Sequence, residues 1–220
     1  TRPALESADP ENQLLARAPR YRLTAEMIRD NALDASGLIS TRMGGGGSKP
    51  YDLTESFKPL GHDKGEGLYR RSVYTFWKRT GPAPVMMALD ASKRDVCRAK
   101  RETTATPLQA LVLMNGPQFV EASRKLGEAM VREHGDNTHS IVRDTFRTLT
   151  SREPSDREIT LLQQLHNEQL AHFEKDGKAT DAFLGTGASP EPSDLAKPRV
   201  AAAGVLAKAL MNFDEAVVKR

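Results

Sequence analysis

The sequence predicts a mainly α-helical fold, an irregular helical bundle, on three observations. Apolar residues recur at the 3.6-residue helical period through most of the stretch from Thr106 to Phe173. Start and stop signals punctuate that period: Thr106-Pro107, Asn115-Gly116-Pro117, and Ser155 followed by Glu158. The stretches lacking the period, 40–67 and 176–197, are broken by Gly and Pro and read as loops. A chain of 220 residues suits one domain of ordinary size over 1–220.

Thr24 can cap a first helix within 24–36, stopped by Gly37 in the C′ position. The run Gly44-Gly45-Gly46-Gly47 makes 40–67 a mobile, glycine-rich loop. Within the segment 69–101, Tyr69, Val73 and Phe76 stand at i, i+4 and i+7. That spacing favours a helix over Tyr69–Arg79, although the β-branched and aromatic content also suits a strand.

Helices then fill 106–175. Thr106 caps the first, with Pro107 at its first position and Leu108, Leu111 and Val112 on one face. Pro117 opens the second, whose inward stripe is Phe119, Ser123, Leu126 and Met130, flanked by Val120 and Val131. After the turn Gly135-Asp136-Asn137 the third turns Ile141, Val142, Thr145, Phe146 and Leu149 inward. Ser155 and Glu158 form a capping box for the fourth, with Ile159, Leu162, Leu165, Gln169 or Leu170, and Phe173 on its inward face. The loop 176–197 carries one short turn, and a final Ala- and Leu-rich helix covers 198–213. Met27, Ile28, Val73, Phe76, Trp77, Leu206 and Leu210 complete the expected core.

With 38% hydrophobic and 5% aromatic residues, and a mean hydropathy of −0.53, that core is lean. Cys97, the single cysteine, excludes an intrachain disulfide, and Arg98 to Arg101 after it exclude a C-x-x-C-H haem attachment. It reads as a small buried hydrophobe. The longest uncharged stretch, Thr103–Val120, contains Pro107, Asn115, Gly116 and Pro117, which argues against a membrane span. Thr1–Pro10 has no signal-peptide character, and the absence of an initiator Met leads us to expect a piece of a longer protein.

Few motifs carry chemistry. Gly47 is followed by Ser48-Lys49-Pro50 instead of the Gly-Lys-Ser/Thr of a phosphate loop. His62, His134, His139, His166 and His172 lack metal-ligand spacing and read as surface residues. No nucleophile elbow is present. The dense feature is Tyr69–Arg101, with nine Lys/Arg against Asp90 and Asp95, interleaved with Tyr69, Tyr74, Phe76 and Trp77. The net charge of +3 is therefore a basic segment on a slightly acidic body.

Guanidinium groups grip anions bidentately, and aromatic rings offer sugars a stacking face. The candidate binding residues are Arg70, Arg71, Tyr74, Trp77, Lys78, Arg79, Asp90, Arg98, Arg101, Gln109 and Asn115. The alternative is structural: the arginines pair internally, with Trp77 and Phe76 in the core. Asp90, amid arginines, reads as an ion-pair anchor with a lowered pKa, not a general base.

At this segment the sequence resembles a known family. The carrying runs are Tyr69-Arg-Arg-Ser-Val-Tyr-Thr-Phe-Trp-Lys-Arg-Thr80, Met86-Met-Ala-Leu-Asp90, Val96-Cys-Arg98 and Thr106-Pro-Leu-Gln-Ala-Leu-Val-Leu-Met-Asn115. Pro19-Arg-Tyr-Arg-Leu-Thr-Ala-Glu-Met-Ile-Arg-Asp30 and Ala209–Arg220 extend the likeness. Together they resemble a planctomycete-specific C-terminal domain of unknown function, number 1553. The resemblance implies the C-terminal portion of that domain in an exported or periplasmic modular protein. It places another uncharacterised domain, and often a cytochrome c-like module, ahead of it.

No cofactor is expected in this chain itself, and haem c would belong to an N-terminal module. The implied partners are those N-terminal domains and an anionic polysaccharide, with nucleic acid ranking low. The functional expectation is a binding or scaffold module. Its rivals are the substrate pocket of a haem-linked oxidoreductase acting on polysaccharide and a purely structural domain. The family supplies no catalytic residues to carry over.

Overall fold

The computed structural model describes residues 7–16, 20–50, 53–55, 58–78, 82–93 and 97–219, with the side chains of 53–60 outside the description. Among these residues nine helices pack together: α1 (Ala25–Ala35), α2 (Pro84–Ala88), α3 (Pro107–Asn115), α4 (Pro117–His134), α5 (Thr138–Thr150), α6 (Asp156–Lys175), α7 (Gly177–Leu184), α8 (Lys197–Met211) and α9 (Asp214–Val217). Among the described residues, sheet is confined to two small antiparallel pairs. β1 (Tyr21–Arg22) pairs with β4 (Val218–Lys219), and β2 (Leu53–Glu55) pairs with β3 (Lys58–Gly61).

The core is built around α8. Its Ala-rich sequence favours helix, and Pro198 suits the first turn, where no amide partner is needed. Val200, Ala201, Ala202, Ala203, Leu206, Ala207 and Leu210 are all buried, so this helix has little outward face. Small side chains let neighbours approach closely. A Cβ on Gly127 of α4 would lie 2.4 Å from the Gly204 nitrogen and 2.8 Å from the Ala203 carbonyl carbon. The two backbones therefore touch where both helices carry glycine. α5, α6 and α7 close the remaining sides.

Local signals set the helix ends as expected. Thr24 accepts from the Met27 amide, and Gly37 (φ 71°) ends α1 with Leu38 N–H bonded to the Leu33 carbonyl and Gly37 N–H to that of Asp34. Thr106 caps α3 through the Gln109 amide and the Ser155–Glu158 box opens α6, while Asn137, expected only as part of a turn, also caps α5 through the Ser140 amide. The inward stripes expected of α4 and α5 are buried throughout.

Several expectations are corrected. Tyr69–Arg79 is not a helix: its described part holds a 3₁₀ turn at Ser72–Tyr74 and extended residues. Distant partners take its backbone groups. Ser40 N–H bonds the Tyr69 carbonyl, Ser48 N–H bonds that of Tyr74, and the Phe76 amide returns to Ser48. The stretch 40–67 is likewise not all loop, since it contains β2, β3 and a 3₁₀ turn at Gly65–Leu68. Within 176–197, Asp176 accepts from the Ala179 amide and starts the two-turn helix α7.

The inward face of α3 is also different. Leu108 and Leu111 are exposed, whereas Gln109 and Leu113 are buried, because the Gln109 amide reaches Asp90 and Thr104. Met27, Val73 and Phe76 are exposed, so they leave the expected core. α1 turns Ala25, Ile28, Arg29, Ala32 and Leu33 inward, and the 69–79 stretch has no helical face to bury. Cys97 is exposed, on a stretch without helix or strand, and His166 is buried on the inner side of α6.

Candidate functional site

The structure divides the sequence-derived candidates between separate places. Arg70 is almost fully buried. Its Nη2 donates to the Gly44 carbonyl at 2.5 Å and its Nη1 to that of Gly46 at 2.8 Å, with the guanidinium 3.9 Å over the Tyr74 ring. The Tyr74 hydroxyl in turn accepts from the Gly44 amide. The four-glycine run is thus wrapped around Arg70, and positive φ at Gly44 and Gly45 lets its carbonyls converge there. Arg71 pairs with Asp30 at 3.8 Å. Trp77 packs against the core and donates Nε1–H to the Lys93 carbonyl at 2.8 Å, and Lys78 is half-buried. Arg79 lies outside the described residues.

A second group forms around Asp90. Its Oδ2 accepts from the Thr104 amide, the Thr104 hydroxyl and Gln109 Nε2 at 2.7–3.0 Å. Burial pushes its pKa up, but these hydrogen bonds and the Arg22 charge outweigh burial and hold it below the usual range. Asp90 is therefore a hydrogen-bond hub, a correction to the ion-pair anchor expected. Asp90, Arg98 and Arg101 line one small cleft of about 80 Å³, where Arg98 pairs with Glu102 and Arg101 Nη1 donates to both carboxylate oxygens of Glu26. Asn115 turns its amide back onto the Leu111 carbonyl of its own helix. Arg70 and Tyr74 thus stand together, and Asp90, Arg98, Arg101 and Gln109 stand together.

A larger concavity lies elsewhere. A cleft of about 420 Å³ opens beside the N-terminal turn of α4, where Gly116, Pro117, Gln118, Phe119 and Glu121 form one wall. Leu68 and Pro50 line it from the first third, Pro84 and Val85 from α2, and Gly187 and Ala188 from the turn after α7, with His62 also on it. Pro117 starts α4 here because Asn115-Gly116-Pro117 cannot continue α3: a proline ring would clash with the preceding turn.

Buried polar side chains fix each wall. Arg29, 1% exposed, donates to the carbonyls of Leu68 (2.6 Å) and Arg70 (2.9 Å), to Ser72 Oγ and to Gln118 Oε1 (2.8 Å). Gln118 passes the connection on, its Nε2 donating to the carbonyls of Pro50 and Leu68. On the opposite side, Glu121 Oε1 accepts from the amides of Ala188 (2.9 Å) and Ser189 (2.6 Å) and from the Tyr69 hydroxyl (2.7 Å). One turn on, fully buried Arg124 donates to the carbonyls of Ser189 and Pro190 and to Ser189 Oγ.

The Gly187–Pro190 backbone is thus read by a carboxylate on its amides and a guanidinium on its carbonyls. Gly187 sits so close (φ 100°) that a Cβ would lie 2.4 Å from Glu121 Cδ. Burial, then the hydrogen bond to Glu121 and that carboxylate's charge, raise the pKa of Tyr69, so its phenol stays protonated and donates.

Sequence reasoning missed Arg29, Gln118, Glu121 and Arg124. The available signal was phase. Glu121 and Arg124 fall within the buried arc of α4, and Arg29 is one residue from Ile28 on that of α1. A charge on an apolar face needs a buried partner. Among the described residues, no group of three or more His, Cys, Asp or Glu could hold a metal ion, and no helix is long and apolar enough to cross a membrane.

Fold and cleft define a mainly helical domain whose polar interior braces an apolar concavity. The chain belongs to the family PSD1, protein of unknown function (DUF1553), whose model matches residues 1–166. α7, α8 and the turn carrying Gly187 lie beyond the matched residues. No curated protein and no solved structure matches the chain.

Proposed function

We propose that this domain is a ligand-binding module on a helical scaffold, and that its binding site is the 420 Å³ cleft beside α4. The observation that carries the reading is pre-organisation. The cleft is walled mostly by apolar side chains, while Arg29, Glu121 and Arg124, all nearly or fully buried, hold its edges. Concave, mainly apolar, preformed sites of roughly 300–1,000 Å³ with a few fixed polar groups are where proteins take small ligands. The basic-aromatic segment supports this reading as framework. Arg70, Arg71, Arg98 and Arg101 already have internal partners, which disfavours an anionic glycan as the guest. The family resemblance would set the module in an exported protein, beside N-terminal domains that supply any haem c.

Amide chemical shifts test the reading. n-Hexanol at millimolar concentration should move Leu68, Val85, Phe119 and Ala188 and leave Lys93 and Lys100 still. Heparin fragments that bind at 20 mM salt through Lys93, Arg98 and Lys100, with no response of the cleft to hexanol, would replace it with the anionic-glycan surface.

A further inference from the structure

Glu121 is 3% exposed and lines the cleft, yet its hydrogen bonds all end on one oxygen. Oε1 takes three donors. Oε2 takes none from any described residue, and it is not among the partnerless side-chain atoms sealed from solvent. An ionised carboxylate offers about four lone-pair sites, so the Oε2 side keeps unused acceptor capacity. Among the described residues no ion pair neutralises the group either, and Lys125 of the same helix pairs with Glu128 instead. Arg124, the nearest cation along α4, has its guanidinium turned to the carbonyls of Ser189 and Pro190. The other walls named above, Pro84 and Val85, Pro117 and Phe119, Leu68 and Pro50, contribute no charge, and among the described residues His62 is the one further titratable group on the cleft.

A desolvated charge in apolar surroundings is costly unless something pairs with it. We infer that the cleft selects a ligand carrying a primary ammonium on an aliphatic body, the ammonium donating to Glu121 Oε2 and the aliphatic part covering Leu68, Val85 and Phe119. Three hydrogen bonds and the close seat of Gly187 hold the carboxylate still, so no reorganisation is needed when the cation arrives. The ammonium brings donors and no acceptors, which matches an oxygen that can only accept. A carboxylate or phosphate guest would meet like charge at the same place.

The inference rests on the cleft being the binding site, and three probes of equal length separate the two. n-Hexylammonium, n-hexanol and hexanoate are titrated into the protein at pH 8 while the Leu68, Phe119 and Ala188 amides are followed. Hexylammonium should bind about tenfold or more tighter than hexanol, and hexanoate more weakly than either. Hexanol binding as tightly as hexylammonium would overturn the ammonium selection and leave the cleft as a binding site. No binding of any probe would overturn both.

Glu121→Gln should remove the preference for hexylammonium, so that hexylammonium and hexanol bind alike. Should that variant fail to fold, the wild-type ranking stands as the test, and Val85→Phe, which fills the cleft without touching Glu121, should abolish binding of both. Nα-acetyl-lysine methylamide identifies the source. Tighter binding than hexylammonium places the ammonium on a protein partner, and weaker binding places it on a free amine.

Discussion

The stretch from Ser40 to Phe76 and the helices from Thr106 to Met211 satisfy their backbones by opposite means. In the helices each amide finds a carbonyl four residues back, so only the ends need help, from Thr106, Asn137, Ser155 and Asp176. In Ser40–Phe76 the carbonyls of Gly44, Gly46, Leu68 and Arg70 are taken by guanidinium groups, two of them by Arg29 from another element. Among the described residues there, helical structure is limited to single 3₁₀ turns. The helical part is therefore held mainly by packing, with buried Arg124 securing only the turn after α7, and the earlier part by the buried guanidinium groups of Arg29 and Arg70.

The largest break in that comparison lies at the α4–α8 contact. Gly127→Val would drive side-chain atoms into the Gly204 and Ala203 backbone, which cannot move without displacing α8. Overpacking typically costs about 1–3 kcal/mol and occasionally more, and contact with backbone that cannot yield puts this site at the upper end. Denaturant melts should show loss of the whole cooperative transition, and a variant within about 0.5 kcal/mol of wild type would mean that the helices do not touch there.

Arg29→Met attacks the other regime. It keeps the length of the side chain and removes the donors that reach Leu68, Arg70, Ser72 and Gln118, at a cost of about 3 kcal/mol for buried acceptors left unpaired. Hydrogen exchange should localise the damage: protection falls at Tyr69 and Tyr74 and persists in α5 and α8. Uniform loss across the molecule would show that the two parts are not separable in this way.

The same contrast explains what could be read from sequence. α1, α4, α5 and α6 were legible because a helix is a local object, and the Thr24, Pro117, Asn137 and Ser155 signals lie within a few residues of what they control. The Tyr69/Val73/Phe76 spacing fitted a helix equally well, but a single-sequence period does not reveal that Ser40, Ser48 and Asp30 bind those backbone groups from 26 to 42 residues away. The cleft was illegible for the same reason. Its walls come from Pro50, Val85, Glu121 and Gly187, which only the fold brings together. The dense basic charge of Tyr69–Arg101 was visible, whereas its internal use by Gly44, Gly46, Asp30 and Glu26 was not.

A smaller effect comes from a second arginine clamp in the helical part, this one at the surface. Arg152 is bidentate on Glu158 (2.6 and 2.9 Å) and reaches Glu215 with Nε, joining the start of α6 to α9 at the surface. The guanidinium, then the Ser155 amide and hydroxyl against some burial, lowers Glu158 from 4.5 to about 2. A depressed carboxyl pKa stabilises the fold fully above its unfolded value and is lost as pH falls through the folded one. The stability difference between wild type and Arg152→Gln should therefore be constant above pH 4.5 and shrink between pH 4.5 and about 2. A difference that holds steady down to pH 2 would show that the clamp is not electrostatic.

The smallest expected effect separates period from placement within one helix. Leu111 and Leu113 of α3 are the same residue type two positions apart, and the Thr106–Val112 pattern puts Leu111 inside. The structure leaves Leu111 58% exposed and buries Leu113, since α3 is rotated to bring Gln109 against Asp90 and Thr104. Leu111→Ala then removes little buried surface, and helix propensity slightly favours alanine, so the change should stay within about 0.5 kcal/mol. At Leu113 the same truncation opens a cavity and costs about 2–5 kcal/mol. Equal losses at both positions would mean that the exposed face of α3 is covered in solution, and then dilution should lower the melting temperature of the wild type.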